Sequence, residues 1–292
     1  MRYDICCIGH ITHDRIITPQ ATAELPGGVT FYFSHGISHL LHEGDNLSYR
    51  LIASLGVADM KAVDDIRARG IEVDVVPSRE TVFFENKYGD NVNERTQRVL
   101  AKADPFTVEA LKDVEAQYIV LGTLLADDFS LDVVKSLSSR GTLVVDAQGY
   151  LREVRGDKVF PCDWSDKKEF LKYIDILKVN EHEVRDISGE TDLLAGARKL
   201  LEWGVKEVLL TLGSLGSYVV TRDETIEIPA FAPREVVDAT GCGDTYVMSY
   251  LYKRVQGCGK KEAATFAAAV STIKLEHSGP FTGTEAEALA RI

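Results

Sequence analysis

The sequence predicts an α/β fold: a mostly parallel sheet flanked by helices in a three-layer, Rossmann-like arrangement, with a small β lid. Three observations carry this. Short apolar runs bounded by glycine alternate with longer segments of helical period, the rhythm of βα units. Two β-rich stretches break the rhythm and suit a lid better than a layer. The 292 residues, 45% hydrophobic and 27% charged, can fill one large α/β domain or two smaller ones. With no internal repeat and no low-complexity linker, the chain reads as one domain over residues 1–292, with lid segments near 12–30 and 80–100.

Strands are expected at Asp4–Ile8, Leu51–Leu55, Tyr118–Leu121, Thr142–Asp146, Ile176–Val179 and Val208–Thr211, each a short apolar run. Helices are expected at Asp59–Arg69, Leu131–Ser139 and Leu193–Trp203, closed by Gly70, Gly141 and Gly204. Thr12–Thr30 is irregular and runs through Pro26-Gly27-Gly28. Thr81–Lys87 and Val92–Leu100 read as a hairpin turning at Tyr88-Gly89-Asp90-Asn91. Such a projection can cover a ligand at the strand C-termini, although a plain surface hairpin gives the same pattern. A second hairpin joins Ser217–Arg222 to Thr225–Ile228 around Asp223-Glu224. Two helices then follow, Thr245–Val255 and the alanine-rich Lys261–Leu275.

Charge and cysteine content narrow the function. Against 33 Lys and Arg stand 45 Asp and Glu, a net −12 that repels a phosphate backbone, so no nucleic-acid partner is expected. No run is long enough to span a membrane, and the start of the chain lacks the apolar core of a secretion signal. Five cysteines without a CxxC pair suit a reducing compartment, and the expected location is cytoplasmic.

The segment from Val236 to Tyr246 carries the chemistry, because its small residues lead into an apolar helix. Gly241 and Gly243 let the backbone approach a ligand, and the first-turn amides with the helix dipole make an anion site. Such a site would hold phosphate charge without any basic residue. Asp244 at its mouth can accept the proton of an attacking hydroxyl. An Asp there is also favoured by the dipole and by capping alone, and the same dipole would lower its basicity. The spacing excludes a Gly-x-Gly-x-x-Gly fingerprint, since Tyr246 stands where the third glycine belongs, and the chain has no Gly-Lys-Ser/Thr loop. Cys242, flanked by glycines, is explained by its small size rather than as a nucleophile. His10 and His13 lack the further ligands a zinc site needs.

Asp238-Ala239-Thr240-Gly241-Cys242-Gly243-Asp244 resembles the Asp-Thr-x-Gly-Ala-Gly-Asp signature of the PfkB, or ribokinase-like, carbohydrate kinases, with Ala239-Thr240 for Thr-x and Cys242 for Ala. Other segments resemble the family in the right order along the chain. Gly9 and Asp14 resemble the first strand and its substrate-binding Asp, and Gly27-Gly28 the glycine pair against the substrate. Asn180 to Glu183 resembles the Asn-x-x-Glu element that organises magnesium, largely through water. Thr211-Leu212-Gly213-Ser214-Leu215-Gly216 resembles the nucleotide-binding turn. In plain structural terms, Gly213 and Gly216 serve a hairpin and Asn180 with Glu183 caps a helix.

The resemblance implies a ribokinase-like fold and an ATP-dependent, Mg2+-requiring kinase. It makes Asp244, Gly241, Cys242 and Gly243 catalytic. Asp14, Gly27, Gly28 and Gln148 bind the acceptor; Thr211, Gly213, Gly216 and Asn180 bind the nucleotide; Glu183 and Asn180 hold the metal. Gln148 stands where sugar kinases of the family often carry Asn. With His13-Asp14 and Gly27-Gly28-Val29-Thr30, that variant is similar to myo-inositol kinases. Asn93 or Arg95 of the hairpin would add polar contacts to such a ring, although a surface ion pair is the commoner use of an exposed Arg such as Arg95. Ribose, fructose and nucleosides are the alternative acceptors, a non-catalytic ligand sensor is the alternative of another class, and the resemblance implies a homodimer paired through the lids.

Overall fold

The structure is a computed structural model that describes residues 2–41, 47–88 and 95–292. The hairpin residues Gly89, Asp90, Asn91, Val92 and Asn93 lie outside them.

In chain order, β1 (Tyr3–His10) leads into lid strands β2 (Thr12–Ile17) and β3 (Thr22–Gly27), after which Gly28 starts α1 (Val29–Leu40). A βαβ unit of β4 (Tyr49–Leu55), α2 (Lys61–Arg67) and β5 (Glu72–Pro77) follows, then the second lid pair, β6 (Val82–Tyr88) and β7 (Arg95–Ala101). The core resumes with β8 (Ala116–Gly122), α3 (Leu131–Ser138) and β9 (Thr142–Asp146). The chain returns to the lid as β10 (Arg152–Arg155) and β11 (Lys158–Pro161). Next come α4 (Lys167–Leu171), β12 (Ile176–Asn180), α5 (Glu181–Ser188), α6 (Leu193–Glu202) and β13 (Glu207–Thr211). The last elements are β14 (Ser217–Thr221), β15 (Thr225–Ile228), α7 (Cys242–Val255), α8 (Lys260–Leu275) and α9 (Glu285–Leu289).

Among the described residues, nine strands form the main sheet in the order β15-β14-β13-β12-β9-β8-β1-β4-β5, parallel except for β14 and β15 at one edge. Side chains alternate across it. Ile5 and Cys7 enter the core under α1, α2, α7 and α8, while Cys6 and Ile8 enter the core under α3 to α6. Both faces are therefore buried, which is why these strands read as continuous apolar runs. The parallel strands bring their C-terminal ends to one edge, where such folds bind ligands. Among the described residues no helix is long and apolar enough to cross a membrane.

The lid is a second sheet, β10-β11-β7-β6-β2-β3. Its inner face sets Val82, Phe84 and Val99 against Val29, Leu124 and Leu125 of the body. Its outer face carries a cross-strand ionic ladder, Glu24 to Arg15 (2.8 Å), Arg15 to Glu85 (3.4 Å), Glu85 to Arg98 (3.2 Å), and Arg98 to Asp157. Asp14 pairs with Phe84 in register, one residue from Arg15, so it lies on the inner face.

Several expectations need correction. The first lid segment ends at Gly27, and Val29 and Thr30 belong to core helix α1, whose aromatic and β-branched residues hide its helical character. The lid is larger than expected because β10 and β11 join it. The helix expected at Asp59–Arg69 is split, with a 3-10 turn at Val57–Asp59 and α2 starting only at Lys61.

Candidate active site

At the C-terminal edge, Asp146 ending β9 lies in register with Lys178 of β12. The Lys178 ammonium sits 3.0 Å from Asp146 Oδ2 and 3.7 Å from Glu183 Oε2, and all three residues are buried. Burial alone would lower the Lys178 pKa, but the two carboxylates raise it and keep the ammonium charged. It also faces the start of α7, where a Cβ added at Gly243 would come within 3.1 Å of Nζ. The start of α7 thus has a buried cation at its side, contrary to the expectation of a site without basic residues. The lone charge within Ile176-Leu177-Lys178-Val179 was the signal for it.

Gly241 caps α7 with φ 76°, and a Cβ there would lie 2.2 Å from Cδ1 of Tyr32 on α1. Only glycine meets both demands. The Cys242 amide donates to Ala239 O at 3.2 Å, so that N–H is spent inside the turn. Cys242 Sγ lies 3.8 Å from Ser271 O, and burial pushes its thiol up to about 11, which leaves it un-ionised.

The carboxyl of Asp244 is raised to about 7, first by burial and next by the like charge of Asp146, against the opposing pull of Lys178, Arg152 and Lys274. Desolvation therefore outweighs the dipole, which by itself would have lowered its basicity.

Asp14, Gly27 and Gly28, expected to bind the acceptor, lie together at the junction of lid and α1. Asp14 Oδ1 accepts from Thr12 Oγ1 at 2.7 Å, and a Cβ at Gly27 would strike Asp14 Oδ2 at 2.3 Å. Gly28, at φ 90°, passes so close to His10 that a Cβ would come within 2.6 Å of its carbonyl oxygen. One turn on, Tyr32 lies within the fields of Asp238, Asp14 and Asp244, and burial together with these charges raises its hydroxyl pKa. Tyr32 thus joins this junction to the start of α7. Gln148 lies in a 3-10 turn at Ala147–Leu151 whose cap is Asp146, which accepts from Gln148 N at 3.0 Å. His10 and His13 have separate surroundings: His10 is buried 3.5 Å from Asp128, and His13 bonds Asp59 and Glu24.

Thr211 ends β13, and the turn after it brings Gly216 (φ 97°) so near β15 that a Cβ would lie 2.2 Å from Ile228 O. Gly213 has φ 55° and open space around its Cα. Asn180 and Glu183 form a reciprocal capping box at the start of α5. Asn180 Oδ1 accepts from His182 N and Glu183 N, and Glu183 Oε2 accepts from Asn180 N. With Asn180 Oδ1 and Glu183 Oε2 engaged in the cap and Lys178 alongside, contact through the water shell of magnesium fits these residues better than direct ligation. Among the described residues, no group of three or more His, Cys, Asp or Glu side chains could hold a metal ion. A cavity of about 340 Å³ lined by Arg198, Thr221 and Arg222 opens at the opposite edge of the sheet, away from this constellation.

Residues 108–287, which include Asp146, Lys178, Glu183 and the start of α7, match the model for pfkB family carbohydrate kinases. The chain belongs to that family. Among its curated relatives, a bifunctional ribokinase/ribose-5-phosphate isomerase A of Fructilactobacillus sanfranciscensis is 34% identical over 38% of this chain and 22% of its own. The ribokinase of Arabidopsis thaliana is 30% identical over 56% of this chain and 42% of its own. The chain thus spans only about a fifth to two fifths of these two curated relatives.

Solved structures of the family match more completely. A pyrophosphate-dependent kinase in the ribokinase family, as a sulfate complex, covers 99% of this chain and 100% of its own at 28% identity and a TM-score of 0.85. One complexed with a pyrophosphate analog and myo-inositol is 27% identical over 98% and 99%, with a TM-score of 0.84. A third, 26% identical over 98% and 97% with a TM-score of 0.82, is a pyrophosphate-dependent myo-inositol-1 kinase converted into a myo-inositol-3 kinase by an Asn→Leu and a Ser→Leu substitution.

Proposed function

We propose that this pfkB family member moves the terminal phosphoryl group of ATP onto a hydroxyl of a sugar or cyclic polyol, with myo-inositol as the favoured acceptor. The observation that carries the reading is Asp244, a carboxyl raised to about 7 at the start of α7, with the Lys178 ammonium against neighbouring Gly243. A base tuned near working pH is the most effective proton acceptor. As the acceptor oxygen bonds to the terminal phosphorus, its proton passes to Asp244, the bond from that phosphorus to the bridging oxygen breaks, and ADP leaves. Gly241 and Gly243, with Cys242 between them, let the main chain approach the transferring group, and Lys178 shares its charge. Asp14, Gly27, Gly28 and Gln148 orient the acceptor; Thr211, Gly213, Gly216 and Asn180 serve the nucleotide. Magnesium, met by Glu183 and Asn180 through water, would neutralise donor phosphate charge.

Two inner-face amides add to the acceptor reading. Gln97 Nε2 donates to Asn86 Oδ1 at 2.9 Å, and buried Asn86 lies two residues beyond Phe84, the register partner of Asp14. The pair is eleven residues apart. The two substitutions in the converted myo-inositol kinase are also eleven apart. Asn86→Leu is expected to change which hydroxyl is phosphorylated, checked by product NMR.

A second donor is favoured by the three similar structures, all described as pyrophosphate-dependent, and an inorganic donor needs only the phosphate-holding part of the site. The test is turnover over myo-inositol, ribose, fructose and nucleosides, each with ATP or pyrophosphate. Phosphorylated myo-inositol is the expected product, with ADP or orthophosphate identifying the donor. Ligand binding without turnover on any pair would mean a sensor instead. Asp244→Asn is expected to lower kcat by about 10²–10⁴ with donor affinity nearly intact.

A further inference from the structure

Residues 229–241, which lead into α7, contain no helix or strand, and Val236 and Val237 are 69% and 50% exposed. Apolar burial at these two residues therefore does not set the position of the phosphate-holding turn. Polar bonds to the end of α8 do. The Val237 and Asp238 amides donate to Leu275 O at 2.9 and 3.2 Å, and Ser271 Oγ donates to Cys242 O at 3.3 Å. At the centre is Lys274, whose side chain has no accessible surface. Its ammonium meets Asp238 O at 2.7 Å, Asp238 Oδ2 at 3.3 Å and His277 O at 3.5 Å, three oxygens for three N–H donors. The same Asp238 carboxylate accepts from Thr240 N at 2.9 Å and Gly279 N at 3.4 Å. One buried cation thus gathers both the segment entering α7 and the segment leaving α8.

We propose that Lys274 is a positioning residue: its enclosed ammonium, held by Asp238 and the end of α8, fixes the 238–243 turn in its phosphate-holding form before any donor arrives. A charge this deep is costly unless fully bonded, and an apolar side chain of the same length would pack there without it. The position therefore calls for the charge and its bonds rather than for filling. Lys274 also adds its field to Asp244 and Cys242.

The effect on turnover rests on the kinase reading, so the deciding measurement does not. Backbone hydrogen exchange across 236–246 is compared in the parent, Lys274→Ala and Lys274→Met, each first checked for folding by circular dichroism. Exchange is expected to quicken about 10-fold in both variants, as local opening does, with the rest of the sheet unchanged. Ammonium chloride, filling the space left in Lys274→Ala, is expected to restore protection, whereas sodium chloride at equal ionic strength does not. Should Lys274→Ala not fold, Lys274→Met, which keeps the stem, carries the exchange comparison. Turnover of myo-inositol with ATP or pyrophosphate is expected to fall about 10²-fold through kcat, the usual result of a misplaced catalytic group, and to recover with ammonium in Lys274→Ala. Unchanged exchange in the variants would overturn the proposal, whether or not turnover fell. An inactive parent would end the kinase reading while leaving the exchange result to decide the role of Lys274.

Discussion

At Asp244 one side chain ties stability to the proposed activity. Its carboxyl is raised from 3.8 to about 7 by burial and by Asp146, so between about pH 4 and 7 the folded chain holds a proton that the unfolded chain has released. Stability falls as pH rises through that window, and the full penalty stands above pH 7. At about 1.4 kcal/mol per pKa unit, Asp244→Asn is expected to gain up to about 4 kcal/mol at pH 8 and little at pH 4, measured by urea unfolding at the two pH values. On the proposed function the same substitution removes the proton acceptor, so stability is expected to rise where activity is lost. Turnover should climb with an apparent pKa near 7. Because Asp146 raises the Asp244 carboxyl, Asp146→Asn should move that limb to lower pH, as a pH–kcat profile would show.

Among the elements, the first turn of α7 depends on backbone shape and the first turn of α5 on a cap. Gly241→Ala meets both the left-handed φ of 76° and the ring of Tyr32. A loss of about 2–4 kcal/mol in denaturant unfolding is expected. Asn180→Ala removes one half of the α5 capping box and should cost about 1 kcal/mol. If Asn180 also meets magnesium through water, the variant will need more of the ion for half-maximal turnover, which a cap alone would not require. These two turns were legible because glycine and Asn-x-x-Glu mark conformations few residues satisfy. The helix α1 was not, since Val29-Thr30-Phe31-Tyr32-Phe33 has the composition of a strand and is helical only because its apolar face packs on β1, β4 and α7.

At the scale of the whole molecule, the lid touches the body through its own small apolar cluster, separate from the two large cores. Phe84→Ala empties part of that cluster, a change worth about 3 kcal/mol in a core. Here it is expected to loosen the lid locally, with hydrogen exchange quickening in 82–88 and 95–101 and not in the main sheet. The sequence by itself determined the parallel sheet, the glycine-rich turn that opens α7 with Asp244 in its first turn, and the family, because period and short-range spacing follow from local geometry. Only the tertiary structure decided the membership of the lid sheet, the ion cluster of Asp146, Lys178 and Glu183, the burial of Lys274 against Asp238, and the direction of the Asp244 shift. Each of these depends on groups from distant parts of the chain meeting in a place where water is scarce, and desolvation and long-range charge leave no repeat in the order of residues.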